Sequence, residues 1–152
     1  VGSEMCIRDS LKSFLEMRGA DGGPWGRICA LPAFWVGLLY DQTALDAAWD
    51  LVKDWDMEGR EVLRNAVPKL ALDAPLPGGG TLRDIAGEVL NISRSGLAAR
   101  ARLNAGGDNE TGYLEPLAEI VASGKVPAQR LLDLYNGEWG GDLSKIYALK
   151  SF

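Results

Sequence analysis

A carboxylate and a guanidinium stand two residues apart near the start of the chain, and a glycine-rich turn that carries an aspartate follows at once. The segment FLEMRGADGGPW, residues 14–25, contains Glu16, Arg18 and Asp21. A carboxylate suits Mg²⁺, which prefers oxygen ligands, and the planar fork of an arginine holds phosphoryl oxygens with two hydrogen bonds. The pattern therefore indicates a magnesium–phosphate site, although the same pair on an exposed strand is also found as ordinary solvated charges.

A short strand is predicted to position this pair. Apolar and polar residues alternate over residues 11–18, which is the period of a strand covered on one face. Glu16 and Arg18 then project from the same face, about 7 Å apart by the usual rise per residue. The glycines of the following turn allow backbone conformations that a side chain would forbid, so Asp21 can turn back toward the end of the strand.

Past the strand, the sequence pattern predicts helices. Residues 26–40 are apolar on nearly all sides, so the first helix is expected to be buried. Pro32 is expected to kink it or to separate a short first turn from the rest. A further helix near residues 57–66 is expected to stop before Pro68, because the residue before a proline disfavours the helical conformation.

Two helix starts are predicted from capping-box spacing, Thr43 with Asp46 and Thr81 with Asp84. Apolar residues at helical spacing predict the core-facing stripes, which are Leu45, Ala48, Trp49 and Val52; Leu82, Ile85, Ala86, Val89, Ser93 and Leu97; Leu114, Leu117, Ala118 and Val121; and Ala128, Leu131, Leu132 and Tyr135. The positions of Pro127, Gly124 and Gly137 are typical of a first helical turn and of C-terminal caps, respectively.

The composition excludes several classes of function. The net charge of −5 over 152 residues argues against non-specific nucleic-acid binding. The longest apolar run, residues 28–40, is too short to span a bilayer. The chain has no histidine, so Ser-His-Asp, Cys-His and His-metal chemistries are excluded within it. Residues 78–80 are three glycines that lack the flanking strand and lysine of a phosphate-binding loop, and they are interpreted as part of a connector.

Other residues of chemical interest are given structural interpretations. Cys29 is the one cysteine beyond residue 10, and we expect a small buried hydrophobe rather than a nucleophile. A lone thiol suits a reducing compartment, so we predict a cytoplasmic protein. Most of the tryptophans are assigned to the core. The arginines at 94, 100 and 102 are interpreted as a solvated helix end.

The string EMRGADGGPWGRICALPAFWVGLLYD, residues 16–41, resembles glutamate–cysteine ligase of the plant and alphaproteobacterial type. The resemblance continues through DAAWDLVKDW at residues 46–55 and through the segment from residue 127 to residue 141, which ends in GEWGG. Between about residues 71 and 109 it holds in pattern more than in letters. The Glu-x-Arg-x-x-Asp core is also similar to the wider carboxylate–amine ligase superfamily.

The resemblance implies an ATP-dependent reaction in which the γ-carboxylate of glutamate is phosphorylated and the cysteine amine attacks the acyl phosphate. The implied cofactors are ATP and Mg²⁺, and the implied partners are glutamate, cysteine and the preceding part of the same enzyme. Glu16 would be a magnesium ligand, Arg18 would bind and stabilise the transferring phosphoryl group, and Asp21 would orient the turn or Arg18. The amino-acid and nucleotide pockets would lie largely upstream.

The fold implied is mainly α, with a layer of about six helices. One N-terminal strand would come from the antiparallel sheet of a larger α+β ligase domain. Residues 1–10, VGSEMCIRDS, resemble the translation of a transposon-end sequencing adapter, and such segments are set apart from fold reasoning. We therefore expect a non-native segment at residues 1–10 and the C-terminal part of a ligase catalytic domain at residues 11–152.

Deletion of residues 1–10 is expected to change the free energy of unfolding by no more than about 0.5 kcal/mol, as for ordinary surface changes. The physical reason is that adapter codons were never selected to complement a core. Urea unfolding of the full and shortened chains measures the difference. Loss of cooperative unfolding in the shortened chain would show that these residues are native structure.

Two other interpretations remain open from the sequence. The first is another carboxylate–amine ligase with a different amine acceptor, which an upstream acceptor pocket would decide. The second is a non-enzymatic helical interaction domain in which Glu16 and Arg18 are surface charges. Further strands and an acidic metal-binding cluster encoded upstream of residue 11 would argue against the second interpretation.

Overall fold

Six α-helices dominate the part of the chain that the structure describes. This computed structural model describes residues 9–11, 15–17, 20 and 22–149. In chain order the helices are α1 (Trp25–Leu39), α2 (Gln42–Val52), α3 (Met57–Leu70), α4 (Leu82–Arg100), α5 (Glu115–Ser123) and α6 (Pro127–Asn136). Short 3-10 helices cover Ala71–Asp73, Glu110–Leu114 and Leu143–Ala148. The mainly α fold predicted from the sequence is therefore confirmed.

Two three-residue strands, β1 (Asp9–Leu11) and β2 (Leu15–Met17), pair in antiparallel fashion before the helices. Glu16 lies at the centre of β2, and its backbone is opposite Ser10. The predicted strand over residues 11–18 includes positions outside the described residues. The continuous strand and the sheet of a larger domain therefore stay predictions.

The segment expected to be non-native, residues 1–10, lies mostly outside the described residues. Asp9 and Ser10, its last two members, belong to β1 and pair with β2. The origin of the segment stays a prediction, and the deletion described above also tests whether β2 depends on this pairing.

Helix α4 is the centre of the helical layer, and α1, α2 and α5 pack against it. Its stripe was predicted correctly, since Ile85, Ser93 and Leu97 are buried. The core lies where Leu97 meets Leu114, and both of these side chains are completely buried. The residues packed against this core are Ala33, Phe34, Val36, Leu117 and Ala118. Burying a leucine side chain stabilises the fold by about 1.5–3 kcal/mol, so this cluster holds α1, α4 and α5 together.

Helices α1 and α4 approach each other closely through two glycines. A Cβ atom built on Gly96 of α4 would overlap the carbonyl oxygen of Gly37 on α1, and a Cβ on Gly37 would overlap the carbonyl oxygen of Ser93. The Ser93 hydroxyl donates a hydrogen bond to the Phe34 carbonyl oxygen, with 2.9 Å between the oxygens. This bond satisfies a buried polar side chain and joins the two helices at the point where their backbones nearly touch.

The predicted capping box at the start of α4 is confirmed. One oxygen of the Asp84 carboxylate accepts hydrogen bonds from the Thr81 backbone N–H and the Thr81 hydroxyl, each at 2.8 Å. The backbone hydrogen bond from Thr81, followed by that from its hydroxyl, holds the pKa of Asp84 below its usual value. The ionised carboxylate therefore stabilises the helix start.

Asp84→Ala is expected to destabilise the chain in a pH-dependent way. Because the pKa of Asp84 is lowered in the folded state, its contribution is fully present above the unfolded value of 3.8 and is lost as the pH falls through the native value. The difference in unfolding free energy between parent and variant should thus shrink below pH 3.8. Urea unfolding across pH measures it, with Glu88→Ala, an exposed carboxylate on the same helix, as control. A difference that is constant with pH would contradict the assignment.

Helix α1 is buried on one side only, which corrects the prediction of a helix buried on nearly all sides. Ala30, Gly37 and Leu38 are buried against the rest of the layer. Trp25 and Ile28 are exposed, and Trp25 is therefore not among the tryptophans of the core. An apolar composition on all sides shows which faces of a helix could be buried. Which faces are buried depends on the elements that pack against it.

Helix α2 differs from its prediction at its start and in its buried face. Its N-cap is Asp41, whose carboxylate accepts the Ala44 N–H at 2.9 Å, so the prediction of a start at Thr43 was wrong. Aspartate caps helices somewhat better than threonine does, and the helix begins at the first such residue. Ala44 is buried, whereas Leu45 and Trp49 of the predicted core stripe are exposed.

Helix α3 continues through Pro68, although it was predicted to stop before it. Pro68 stands in the last turn, where its missing N–H removes one hydrogen bond near the end of the helix. The helix ends two residues later at Leu70, and its C-cap, Ala71, has a positive φ of 48°. The proline therefore removes a hydrogen bond only near the C-terminus of the helix, where few later residues depend on it.

Near the end of the described chain, the predicted helix caps are present, but the predicted apolar stripe of α6 is exposed. Gly124 ends α5 with a φ of 70°, and Pro127 begins α6. Ala128, Leu131 and Leu132, predicted as a core stripe, are exposed. Within the described residues, the side of α6 that carries them has no apolar layer over it.

Candidate active site

The candidate site begins on β2 and continues into the turn before α1. The structure places the backbone of Glu16 at the centre of β2, while Arg18 and Asp21 lie outside the described residues. The geometry that joins the three residues, and their roles, therefore stay predictions. What the structure describes is the frame on either side, namely β2 before the turn and the first turn of α1 after it.

The start of α1 is fixed by backbone hydrogen bonds to the turn. The Pro24 carbonyl oxygen accepts the N–H groups of Arg27 at 2.8 Å and Ile28 at 3.1 Å. A proline with a φ of −56° directly before a helix is pre-organised for this arrangement. The turn is thereby anchored at its far end, seven residues after the end of β2 at Met17.

Arg27 is a cation beside this turn that the sequence reasoning did not single out. Its guanidinium packs against the turn, with Nε 3.0 Å from the position that a Cβ on Gly23 would occupy. Side chains of a helix tilt toward its N-terminus, so an arginine in the first turn of α1 reaches back over the residues before it. That direction, together with the loop glycine, is the sequence signal that could have identified it.

No group of three or more histidine, cysteine, aspartate or glutamate side chains comes together to hold a metal ion among the residues that the structure describes. Mg²⁺ is usually bound by one or two carboxylates together with substrate phosphates and waters. A single glutamate such as Glu16 suits the chemistry of one such ligand.

Two shallow cavities lie elsewhere, where the loop before α3 meets the glycine-rich connector. Their volumes are about 370 and 310 Å³, and both are lined by Asp56 and Pro77. The Asp56 carboxylate accepts the Gly59 N–H at 2.7 Å and caps α3. The connector itself is closed by a bridge between Pro75 and Thr81, so residues 78–80 are part of a turn, as predicted.

The arginines near the end of α4 are paired in part with carboxylates. The Arg94 Nη1 lies 3.0 Å from the Glu115 Oε1, and the Arg100 Nε lies 3.4 Å from the Glu110 Oε2. Arg100 also stacks over the Tyr40 ring, with 5.5 Å between the guanidinium carbon and the ring centroid. The helix does end at Arg100, as interpreted, but two of the three arginines are paired within the helical layer rather than solvated.

No single helix in the described residues is long and apolar enough to cross a membrane. Taken together, α1 and α2 meet the length and composition criteria, but the two helices meet at an angle of 92°.

Residues 5–149 match the family model described as glutamate-cysteine ligase family 2 (GCS2). The chain belongs to the glutamate–cysteine ligase family. The resemblance recognised in the sequence is thereby confirmed.

Curated plant ligases are similar over most of the chain. The chloroplastic glutamate–cysteine ligases of Solanum lycopersicum and Arabidopsis thaliana are 48% and 49% identical over 137 residues, which is 90% of this chain and 25% of each relative. Ligase A of Oryza sativa subsp. indica is 47% identical over the same length. The chain thus spans about a quarter of the length of the curated relatives it matches. The relatives are named chloroplastic, and the cytoplasmic location expected for this chain stays a prediction.

Proposed function

We propose that this chain is the C-terminal part of the catalytic domain of an ATP-dependent glutamate–cysteine ligase, the enzyme of the first step of glutathione biosynthesis. The whole enzyme joins the γ-carboxylate of glutamate to the cysteine amine through an acyl phosphate. The observation that carries the proposal is the family match over residues 5–149, together with relatives that bear this name. Because the chain spans a quarter of those relatives, the remaining groups of the site belong to the other three-quarters of the enzyme, which in this proposal precede the chain.

In this proposal, the residues of the β2–α1 connection bind and neutralise phosphate. Glu16 is a magnesium ligand, Arg18 binds the ATP phosphates and stabilises the transferring phosphoryl group, and Asp21 orients the turn or Arg18. ATP supplies the phosphoryl group and Mg²⁺ supplies positive charge when they are bound. Catalysis of this kind rests on positioning and on charges arranged before the reaction.

The frame of the turn supports this assignment. A strand on one side and the anchored first turn of α1 on the other hold a seven-residue connection at both ends. Arg27 adds a second positive charge against Gly23, next to the segment that carries Arg18. Anionic oxygens are favoured where a guanidinium and the positive end of a helix lie close together.

A chimera tests the proposal. In it, this chain replaces the matched region of the Solanum lycopersicum relative, so that the preceding part of that enzyme completes the site. We expect the chimera to form γ-glutamylcysteine in the presence of ATP and Mg²⁺, and the isolated chain to form none and to be only marginally stable. The isolated chain should be inactive because its single described strand pair has no further neighbours within the described residues.

Two outcomes would contradict the proposal. Product formation by the isolated chain would show that the preceding part is not needed. A chimera that folds cooperatively but makes no product with glutamate and cysteine, or that prefers another amine, would assign this chain to a different carboxylate–amine ligase. Unfolding curves of the chimera separate loss of function from loss of fold.

A further inference from the structure

One side of α1 is apolar and has exposed residues in the first two turns of the helix and again at its last residue, Leu39. The α1 outer face consists of Trp25, Ile28, Leu31, Pro32 and Leu39, which recur at helical spacing on the side of α1 away from the helical layer. The exposed fractions are 76% for Trp25, 48% for Ile28 and 43% for Leu39. Soluble proteins rarely leave a contiguous apolar stripe of this kind uncovered unless it is a contact surface.

The α1 outer face also carries no charge. Between Trp25 and Leu39 the one charged residue is Arg27, and its guanidinium lies back against the turn at Gly23. Permanent interfaces resemble a protein core cut in half, whereas reversible ones are more polar. A face without charges therefore fits an occupant that stays in place.

The position of the face indicates that occupant. Seven residues, 18–24, separate the end of β2 at Met17 from Trp25, so a sheet that extends β2 is joined to the start of the face by a short connection. Among the described strands, β2 pairs with β1 along one edge, which leaves its other edge open to a further strand. About three-quarters of each relative's length has no counterpart in this chain.

We propose that the α1 outer face is the docking surface for the preceding part of the same ligase polypeptide. The inference rests on the proposed function, because it takes that part to be the remainder of the enzyme. Seated there, the preceding part covers the apolar stripe and extends β2, so it also fixes the turn that carries Arg18 and Asp21 against the rest of the site. The α1 outer face would thus couple assembly of the two parts to completion of the active site.

Thiol labelling measures whether the face is covered. Leu39→Cys on the α1 outer face is compared with Val62→Cys on α3, an apolar position of similar exposure at 55%. Each variant is made in the isolated chain and in the chimera, reacted with a maleimide, and analysed by mass spectrometry so that labelling of other cysteines is resolved. We expect similar labelling of both positions in the isolated chain. In the chimera, labelling at position 39 should slow about tenfold or more, because a buried thiol reacts only after local opening, while labelling at position 62 should not change.

Three results would overturn the proposal. Equal labelling of position 39 in chain and chimera would show that the preceding part does not cover the face. Protection in the isolated chain that rises with protein concentration would assign the face to a second copy. Protection of the isolated chain by vesicles of phosphatidylcholine and phosphatidylglycerol, without protection in the chimera, would assign it to a lipid surface.

Activity of the chimera is measured separately, so the two proposals fail in different ways. An active chimera with an unprotected position 39 overturns the docking surface and leaves the ligase assignment intact. A protected position 39 in a folded but inactive chimera supports the docking surface and argues against the ligase assignment.

Discussion

Arg18→Ala in the chimera is expected to lower kcat by about 100-fold or more, with a smaller change in substrate affinity. Removing one preorganised group that stabilises developing charge typically has an effect of this size. The interaction is strongest while charge develops on the phosphoryl group, so its loss appears in kcat rather than in KM. Arg18→Lys should restore little, because an ammonium cannot reproduce the two-pronged grip of a guanidinium. Steady-state kinetics with glutamate, cysteine and ATP measure both constants.

Glu16→Gln tests the proposed magnesium ligand separately from the phosphate contact proposed for Arg18. The amide keeps the shape of the side chain and loses its negative charge, so the variant should need more Mg²⁺ to reach its maximal rate. Arg102→Ala removes an exposed arginine beyond the end of α4 and should leave kcat and the magnesium requirement unchanged. If the Glu16 and Arg18 variants fold normally and keep parent rates at low magnesium, both residues are surface charges and the active-site assignment is wrong.

The parts of the fold that could be predicted from the sequence are those set by local interactions. The start of α4 followed from Thr81 and Asp84, because a capping box joins residues three apart. The buried positions of the same helix followed from their spacing, as Leu97 illustrates. The turn at Gly124 followed because a left-handed C-cap favours glycine.

The wrong predictions arose where nearby signals compete or where burial depends on distant neighbours. Both Asp41 and Thr43 can cap α2, and the pattern alone did not decide between them. The apolar residues of α2 at Leu45 and Trp49 fit a helical stripe, yet the small Ala44 faces α4 because the close crossing leaves room for little more. Propensity is a weak guide when tertiary contacts select the face.

The candidate site was predictable in residue type and not in geometry. Spacing placed Glu16 on a strand, and β2 includes it, but no local rule gives the position of groups contributed by a distant part of the chain. The alternation of residues 11–18 gives no signal for Arg27, because this side chain reaches the turn from the helix side. A residue's direction along its helix is information that spacing alone does not use.

Gly37 and Gly96 were also overlooked in the sequence, although each lies inside a predicted helix. An isolated glycine in a helix interior costs about 1 kcal/mol relative to alanine, so its presence there usually has a packing reason. Here the reason is the α1–α4 crossing, where each glycine faces a backbone carbonyl of the other helix. The crossing thus sets the position of α1, and with it the anchored end of the turn before Trp25.

Gly96→Ala is expected to destabilise the chain by about 3 kcal/mol or more. The added methyl would overlap the Gly37 carbonyl oxygen and would lie 3.0 Å from the Ala44 Cβ. Because the first of these obstacles is backbone, relief requires that α1 move away from α4, and overpacking of a core costs about 1–3 kcal/mol even where side chains can yield. Such a loss is a large fraction of a typical domain's stability of about 5–15 kcal/mol. The midpoint of urea unfolding measures it.

Gly87→Ala is the matched control, because it makes the same change in the same helix at a position with room. A Cβ there would meet the Val121 Cγ1 at 3.8 Å, which is ordinary van der Waals contact. The variant should gain about 0.5–1 kcal/mol from the better helix propensity of alanine. Opposite signs at positions 87 and 96 would place the effect in the helix crossing rather than in propensity. If Gly96→Ala also stabilised the chain, α1 and α4 would not approach as closely as their backbones do here, and the support of the turn by α1 would have to be abandoned.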